Sequence, residues 1–245
     1  MPNYRLLVAE PIITHNNLTL SKNHSQHLCK VLRLKEGEVI SVFHPDYGEF
    51  TAELIEAHTK AAIIHIKDQI HPAPQKPKCH LHLAQCISRG DRMDYAIQKA
   101  TELGVHEITP IYANRCGKPL PKERIQKRLQ HWQGIIDSAV QQCGRIDSPK
   151  LNEPLSLDAW LDQNKNELAL AALVSSKNDA LKNIQSKPNS VSILIGPEGG
   201  FTPEEETLLQ NKGTLAWQLG PRVLRTETAS VVALTLLQTQ FGDFN

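Results

Sequence analysis

Over its first seventy residues the chain alternates apolar and polar positions in short runs. Residues 4–8, 39–43, 50–57 and 61–66 read as strands. Residues 21–32 between them read as a helix, with Ser21 as N-cap and Leu28, Val31 and Leu32 on one face. Residues 71–77, His-Pro-Ala-Pro-Gln-Lys-Pro, continue neither pattern, because three prolines fix φ and remove backbone donors. A boundary is expected there. It gives a small β-rich domain over 1–70, a linker over 71–77 and a larger domain over 78–245.

Beyond the linker the period changes. Strand-like runs at 79–85, 107–111, 168–174, 192–195 and 215–218 alternate with helical patterns at 91–103, 122–143, 179–185, 203–211 and 226–240. Asp91 is the expected cap of the first helix and Gly104 its end. In the segment 122–143, Ile125, Leu129, Trp132, Ile136, Ala139 and Cys143 form one apolar stripe, and Gly144 is a natural C′ residue. Strands alternating with helices predict an α/β fold, a parallel sheet covered on both faces.

Composition narrows the class. The chain has 245 residues, 40% apolar and 22% charged, which fits a folded protein of one large domain or two ordinary ones. No apolar run approaches the roughly 20 residues of a membrane span, and the first residues lack the apolar core of a signal peptide. A cytoplasmic protein with no membrane partner is expected. Cysteines 29, 79, 86, 116 and 143 are odd in number and form no Cys-x-x-Cys pair, so free thiols are expected and a metal site is not. His80 and His82 alternate on a strand and are expected to face solvent or be satisfied locally. Net charge is +1, but two stretches are locally basic. Residues 21–35 hold Lys22, Lys30, Arg33 and Lys35; residues 115–128 hold Arg115, Lys118, Lys122, Arg124, Lys127 and Arg128 against Glu123 alone. Such patches are either phosphate-binding surfaces or ordinary solvated helix faces.

Residues 193–205, Ile-Leu-Ile-Gly-Pro-Glu-Gly-Gly-Phe-Thr-Pro-Glu-Glu, carry the candidate chemistry. An apolar strand enters a glycine-rich loop, and Thr202, Pro203 and Glu205 then spell an N-cap, a first-turn proline and a capping-box carboxylate. Loops at the carboxyl ends of strands are where open α/β sheets bind ligands. Residues 219–229, Leu-Gly-Pro-Arg-Val-Leu-Arg-Thr-Glu-Thr-Ala, repeat the loop-then-helix design, with Thr226 the expected N-cap. The phosphate-loop, dinucleotide and nucleophile-elbow patterns are absent.

These two runs resemble the cofactor motifs of the SPOUT RNA methyltransferases, and more narrowly the bacterial RsmE family. Residues 89–94, Arg-Gly-Asp-Arg-Met-Asp, residues 98–105, Gln-Lys-Ala-Thr-Glu-Leu-Gly-Val, residues 114–116, Asn-Arg-Cys, residues 139–145, Ala-Val-Gln-Gln-Cys-Gly-Arg, and residues 27–33, His-Leu-Cys-Lys-Val-Leu-Arg, extend the likeness over nearly the whole chain. Gln141 stands where the family usually carries Glu. The resemblance implies an N-terminal PUA-like barrel that binds RNA and a SPOUT-type α/β domain with a deep trefoil knot. It implies S-adenosylmethionine as cofactor, N3 of a uridine in 16S ribosomal RNA as acceptor, and a homodimer. Leu194, Ile195, Gly196, Pro197, Glu198, Gly199, Gly200, Leu219, Gly220, Arg222, Leu224, Arg225 and Thr226 are the implied cofactor residues. Arg5, Lys22, Lys30, Arg33, Arg92, Arg115 and Arg145 are the implied RNA contacts. Arg225 is expected to stabilise the uracil oxygen, Arg115 to hold RNA, and Glu198 to face the ribose or the sulfonium. Other acceptors known for SPOUT enzymes, ribose hydroxyls and guanine, and a non-catalytic RNA-binding assembly role are the competing readings.

Overall fold

The alternating runs of the first seventy residues become β1 (Arg5–Leu7), β2 (Asn17–Thr19), β3 (Val39–His44), β4 (Gly48–Glu56) and β5 (Ile63–His71) in a computed structural model of the chain. The structure describes residues 4–117, 119–176, 180–184 and 187–244. It divides into two units, one of residues 1–76 with 140–148 and one of residues 77–139 with 149–245.

In the first unit the strands pair in the order β1-β3-β4-β5-β2, with β1 parallel to β3 and the other pairs antiparallel. Register shifts between β4 and β5 bend this sheet around a core that includes Leu6, Ile40, Val42, Leu54 and Ile64. Gly48 opens β4 at φ 93°, and a Cβ there would strike the His71 carbonyl. Helix α1 (Lys22–Gln26) is capped by Ser21, whose hydroxyl accepts from the His24 amide at 3.3 Å. It then widens into a π-helical turn over His27–Val31. The predicted apolar face is corrected by that turn. Leu28 is buried and Leu32 half-buried, but the extra residue per turn rotates Val31 out to 68% exposure.

Arg5 is the polar anchor of this unit. Its guanidinium donates to both oxygens of Glu49 at 2.9 and 3.0 Å. It also donates to the carbonyls of Val140, Gln141, Gly144 and Arg145 at 3.1–3.3 Å. Burial pushes the Glu49 carboxyl up, but hydrogen bonds from Arg5 and Ser41 outweigh it and hold it below its ordinary range. Arg5, expected to contact RNA, is thus a structural clamp whose donors face internal oxygens.

The second unit contains β6 (His80–Cys86), α2 (Asp91–Glu102), β7 (Glu107–Tyr112), all but the last four residues of α3 (Lys122–Cys143), β8 (Lys150–Leu151), β9 (Leu155–Ser156), α4 (Leu157–Gln163), β10 (Leu168–Ala172), β11 (Ser190–Ile195), α5 (Pro203–Asn211), β12 (Leu215–Trp217) and α6 (Thr226–Phe241). The strands are parallel, ordered β12-β10-β11-β6-β7-β8, with β9 also on β7. Val191, Ile193, Leu194, Leu81 and Leu83 are fully buried, as central strands covered on both faces require. After β12, at the edge, the chain returns to pack α6 on α2, β6 and β11. This return from the edge of the sheet to its middle is the path expected of a SPOUT-type α/β domain.

One predicted cap moves here. Gly90, at φ 62°, is the N-cap of α2, and Asp91 is its first helical residue, well placed for the positive end of the helix. In α3, Trp132, Ile136 and Ala139 are buried, but Ile125 and Leu129 are only half-buried, so the stripe tightens toward the C-terminal half. The predicted helix over 179–185 has its end residues outside the described ones; between them Ala180–Asn183 form a 3-10 turn. Lys118 of the second basic run also lies outside the described residues.

Candidate functional site

The glycine loop leaves β11 in the middle of the sheet and ends in the capping box of α5. The Thr202 hydroxyl accepts from the Glu205 amide at 3.3 Å, and Glu205 Oε2 accepts from the Thr202 amide at 2.8 Å. The other Glu205 oxygen accepts from the Asn114 amide at 2.7 Å, and the Arg115 guanidinium donates to the Gly199 carbonyl at 2.5 Å. The segment after β7 is thus latched to the glycine loop at Gly199 and to the first turn of α5 at Glu205. Gly196 lies so near Phe201 that a Cβ there would sit 2.9 Å from the ring.

The second loop, residues 218–225, leads into α6. Thr226 is not the N-cap; that position is Arg225, without a side-chain bond. The Thr226 hydroxyl instead donates to the Gly196 carbonyl at 2.8 Å and accepts from Gln85 Nε2 at 2.9 Å. Ser230, one turn on, donates to Gln85 Oε1 at 2.9 Å. Gln85, Ser230 and Thr226 are all buried, so this network fastens β6, the glycine loop and α6 in a place where breaking it is costly.

Between the loops lies a cavity of about 460 Å³ at the carboxyl ends of β10, β11 and β12. Ile195, Gly196, Pro197, Glu198, Gly200, Leu219, Gly220, Arg222, Leu224, Arg225 and Thr226 line it, as do Arg92 and Glu227. Two implied cofactor residues do not. The Leu194 side chain is in the core, and Gly199 faces the Arg115 stem, with a would-be Cβ 3.1 Å from its Cδ. Sequence reasoning missed Ala172–Ser175, Phe201, Glu206 and Trp217 on the wall. Their signal is strand order: β10 flanks β11, and β12 flanks β10.

Glu198 is engaged within the protein, accepting from Arg92 Nη1 at 2.7 Å and from the Arg89 amide at 3.3 Å. Burial pushes its carboxyl up, but its own amide, the Arg89 amide and Arg92 outweigh that and hold it below the ordinary range. Of the implied RNA cations, Arg92 sits on the cavity wall with Glu198. Arg145 pairs with Asp147 at 2.6 Å and is mostly buried. Lys22, Lys30 and Arg33 are exposed and form no ion pair among the described residues. His82 turns out buried, its Nε2 hydrogen-bonded with the Thr109 hydroxyl at 2.8 Å. No group of histidine, cysteine and carboxylate side chains among the described residues has the arrangement of a metal site. No described helix is long and apolar enough to cross a membrane.

The RNA methyltransferase domain family matches residues 74–238, and the RNA methyltransferase PUA domain family matches residues 20–67. Ribosomal RNA small subunit methyltransferase E of Buchnera aphidicola subsp. Acyrthosiphon pisum is 32% identical, over 98% of this chain and 94% of that protein. The protein of the same name from Bacillus subtilis is 30% identical, over 87% and 86%. Among solved structures, a Legionella pneumophila protein in complex with SAM superposes with a TM-score of 0.93 at 37% identity, covering 99% of this chain and 100% of that one. A ribosomal RNA small subunit methyltransferase E from Neisseria gonorrhoeae, bound to S-adenosyl methionine, superposes with a TM-score of 0.88 at 34% identity, covering 99% of each.

Proposed function

Because this chain belongs to the ribosomal RNA small subunit methyltransferase E family, we propose that it transfers a methyl group from S-adenosylmethionine to N3 of one uridine in 16S ribosomal RNA. The observation that carries this reading is the pairing of the two glycine loops into one cavity, tied by the Thr226–Gly196 bond. The residues fit the cofactor. The cavity lies within the roughly 300–1,000 Å³ of small-molecule sites. Gly200 leaves open space where a side chain would stand, and Leu219 and Leu224 offer an apolar slot for a flat base. Glu198 supplies negative charge for a cation or hydroxyl groups. Bound S-adenosylmethionine supplies an already activated methyl group, so the protein's main task is alignment.

The residues of this chain divide that task. Arg225 faces the cavity from the cap of α6 and stabilises the uracil oxygen that becomes negative as N3 loses its proton. Arg115 has donors beyond the one spent on Gly199 and holds a backbone phosphate. Uridine N3 is hidden in paired RNA, so the target base enters out of its stack. The N-terminal domain adds sequence-independent affinity through Lys22, Lys30 and Arg33. The enzyme works as a cytoplasmic homodimer on the small ribosomal subunit RNA.

Arg225→Ala at saturating cofactor and RNA should lower methyl transfer by about 10²-fold, the usual cost of one oxyanion donor. A rate near wild type would remove Arg225 from the chemistry. Mass mapping of the methyl group on small-subunit RNA tests the acceptor.

A further inference from the structure

Three carboxylates line the cofactor cavity, and two are already engaged. Glu198 accepts from Arg92 and the Arg89 amide, and Glu206 accepts from the Ser175 hydroxyl at 2.9 Å. Glu227 differs. It stands in the first turn of α6, directly after the buried Thr226 and two residues after Arg225, and lines the cavity with both. Its Oε2 is shut off from solvent and has no hydrogen-bond partner among the described residues. A carboxylate oxygen kept dry and unpaired is costly, and a half-turn of the group exchanges its two oxygens. The other charged groups around the cavity are Arg92, Glu198, Glu206, Arg222 and Arg225.

We infer that Glu227 is the general base of the methyl transfer, accepting the N3 proton of the target uracil. The inference rests on the uridine-N3 reading and deepens it. A uracil held in this cavity with an oxygen toward Arg225 carries its N3–H beside that oxygen, and Glu227 lines the same cavity. The N3–H bond breaks and its proton goes to the Glu227 carboxylate. The N3 electron pair forms the new N–C bond to the methyl carbon. The carbon–sulfur bond breaks with its pair left on sulfur, which becomes a neutral thioether. The carboxylic acid then releases the proton to solvent, and the balance closes without a further reactant. Glu198 is a poorer base, because its partners stabilise the ionised form.

The test is kinetic and thermodynamic together, on the full chain. Glu227→Gln should lower kcat by about 10²–10⁴-fold. Calorimetric affinities of the apo variant for S-adenosylmethionine, and of the cofactor-loaded variant for RNA, should stay as in wild type. Its remaining rate should climb about tenfold per pH unit as hydroxide replaces the carboxylate. Glu227→Asp, which keeps the carboxylate, should be slower than wild type without acquiring that hydroxide dependence. A Glu227→Gln enzyme that loses cofactor affinity while keeping kcat would overturn the proposal and make Glu227 a cofactor ligand. A near wild-type kcat, or a loss of rate without hydroxide dependence, would overturn it too. If wild type binds cofactor but leaves uridine N3 unmethylated, the acceptor assignment fails and takes this proposal with it. An N3-methylating wild type beside an equally active variant refutes the base alone.

Discussion

Gly196 and Gly199 look alike in the sequence, and their surroundings separate them. A Cβ at Gly196 would meet the Phe201 ring at 2.9 Å, and Phe201 is itself buried against Leu194 and Leu209. A Cβ at Gly199 would meet the Arg115 side chain, 3.1 Å from its Cδ and 3.4 Å from its Cβ, and no ring. Gly196→Ala should therefore cost about 1–3 kcal/mol as the ring is displaced and weaken S-adenosylmethionine binding. Gly199→Ala should stay within about 0.5 kcal/mol. Thermal unfolding and titration calorimetry on both variants check the contrast. Thr226 teaches the same lesson. Its place before an apolar run is that of an N-cap, and the structure spends its hydroxyl on a carbonyl thirty residues back. No local pattern encodes that partner.

Elements were legible where local chemistry decides them. Helix α5 has the predicted bounds because Thr202, Pro203 and Glu205 determine its start. Helix α3 likewise covers its predicted span. Elements were misread where packing decides them. The π-helical turn over His27–Val31 places Val31 in solvent, and α4, β2 and the short strands β8 and β9 carry too few residues to show a period. The attachment of α6 belongs to this scale. Thr226→Val is nearly isosteric and takes their partner from the Gly196 carbonyl and from one N–H of the buried Gln85 amide, whose other bonds go to Cys86 and Ser230. It should destabilise by about 1–3 kcal/mol and lower cofactor affinity, because the Gly196 loop loses its tether. Denaturant unfolding with and without S-adenosylmethionine measures both effects.

For the whole molecule, pH acts through a histidine that the sequence placed on a strand and the fold buried. Burial pushes the His82 imidazole down from 6.5 to about 4, with the Glu107 carboxylate pulling weakly the other way. The folded protein keeps it neutral while the unfolded chain protonates it, so the unfolded state binds more protons between those values. Stability should be full above about pH 6.5 and fall on acidification, by at most about 1.4 kcal/mol per pH unit. The loss from this group should end near pH 4. Denaturant titrations at pH 7 and pH 5 test the slope, which should flatten in His82→Gln.

By itself the sequence determined the alternation of strands and helices, the two loops, the capping box and the family likeness, because these rest on local propensity and short-range spacing. Only the tertiary structure decided the strand order that adds Ala172–Ser175 and Trp217 to the cavity. It also decided the internal partners of Arg5 and Arg145, and the orphaned oxygen of Glu227. The reason is physical. Those features are contacts between residues tens of positions apart, and their energy exists only once the chain has paid the entropy of bringing them together.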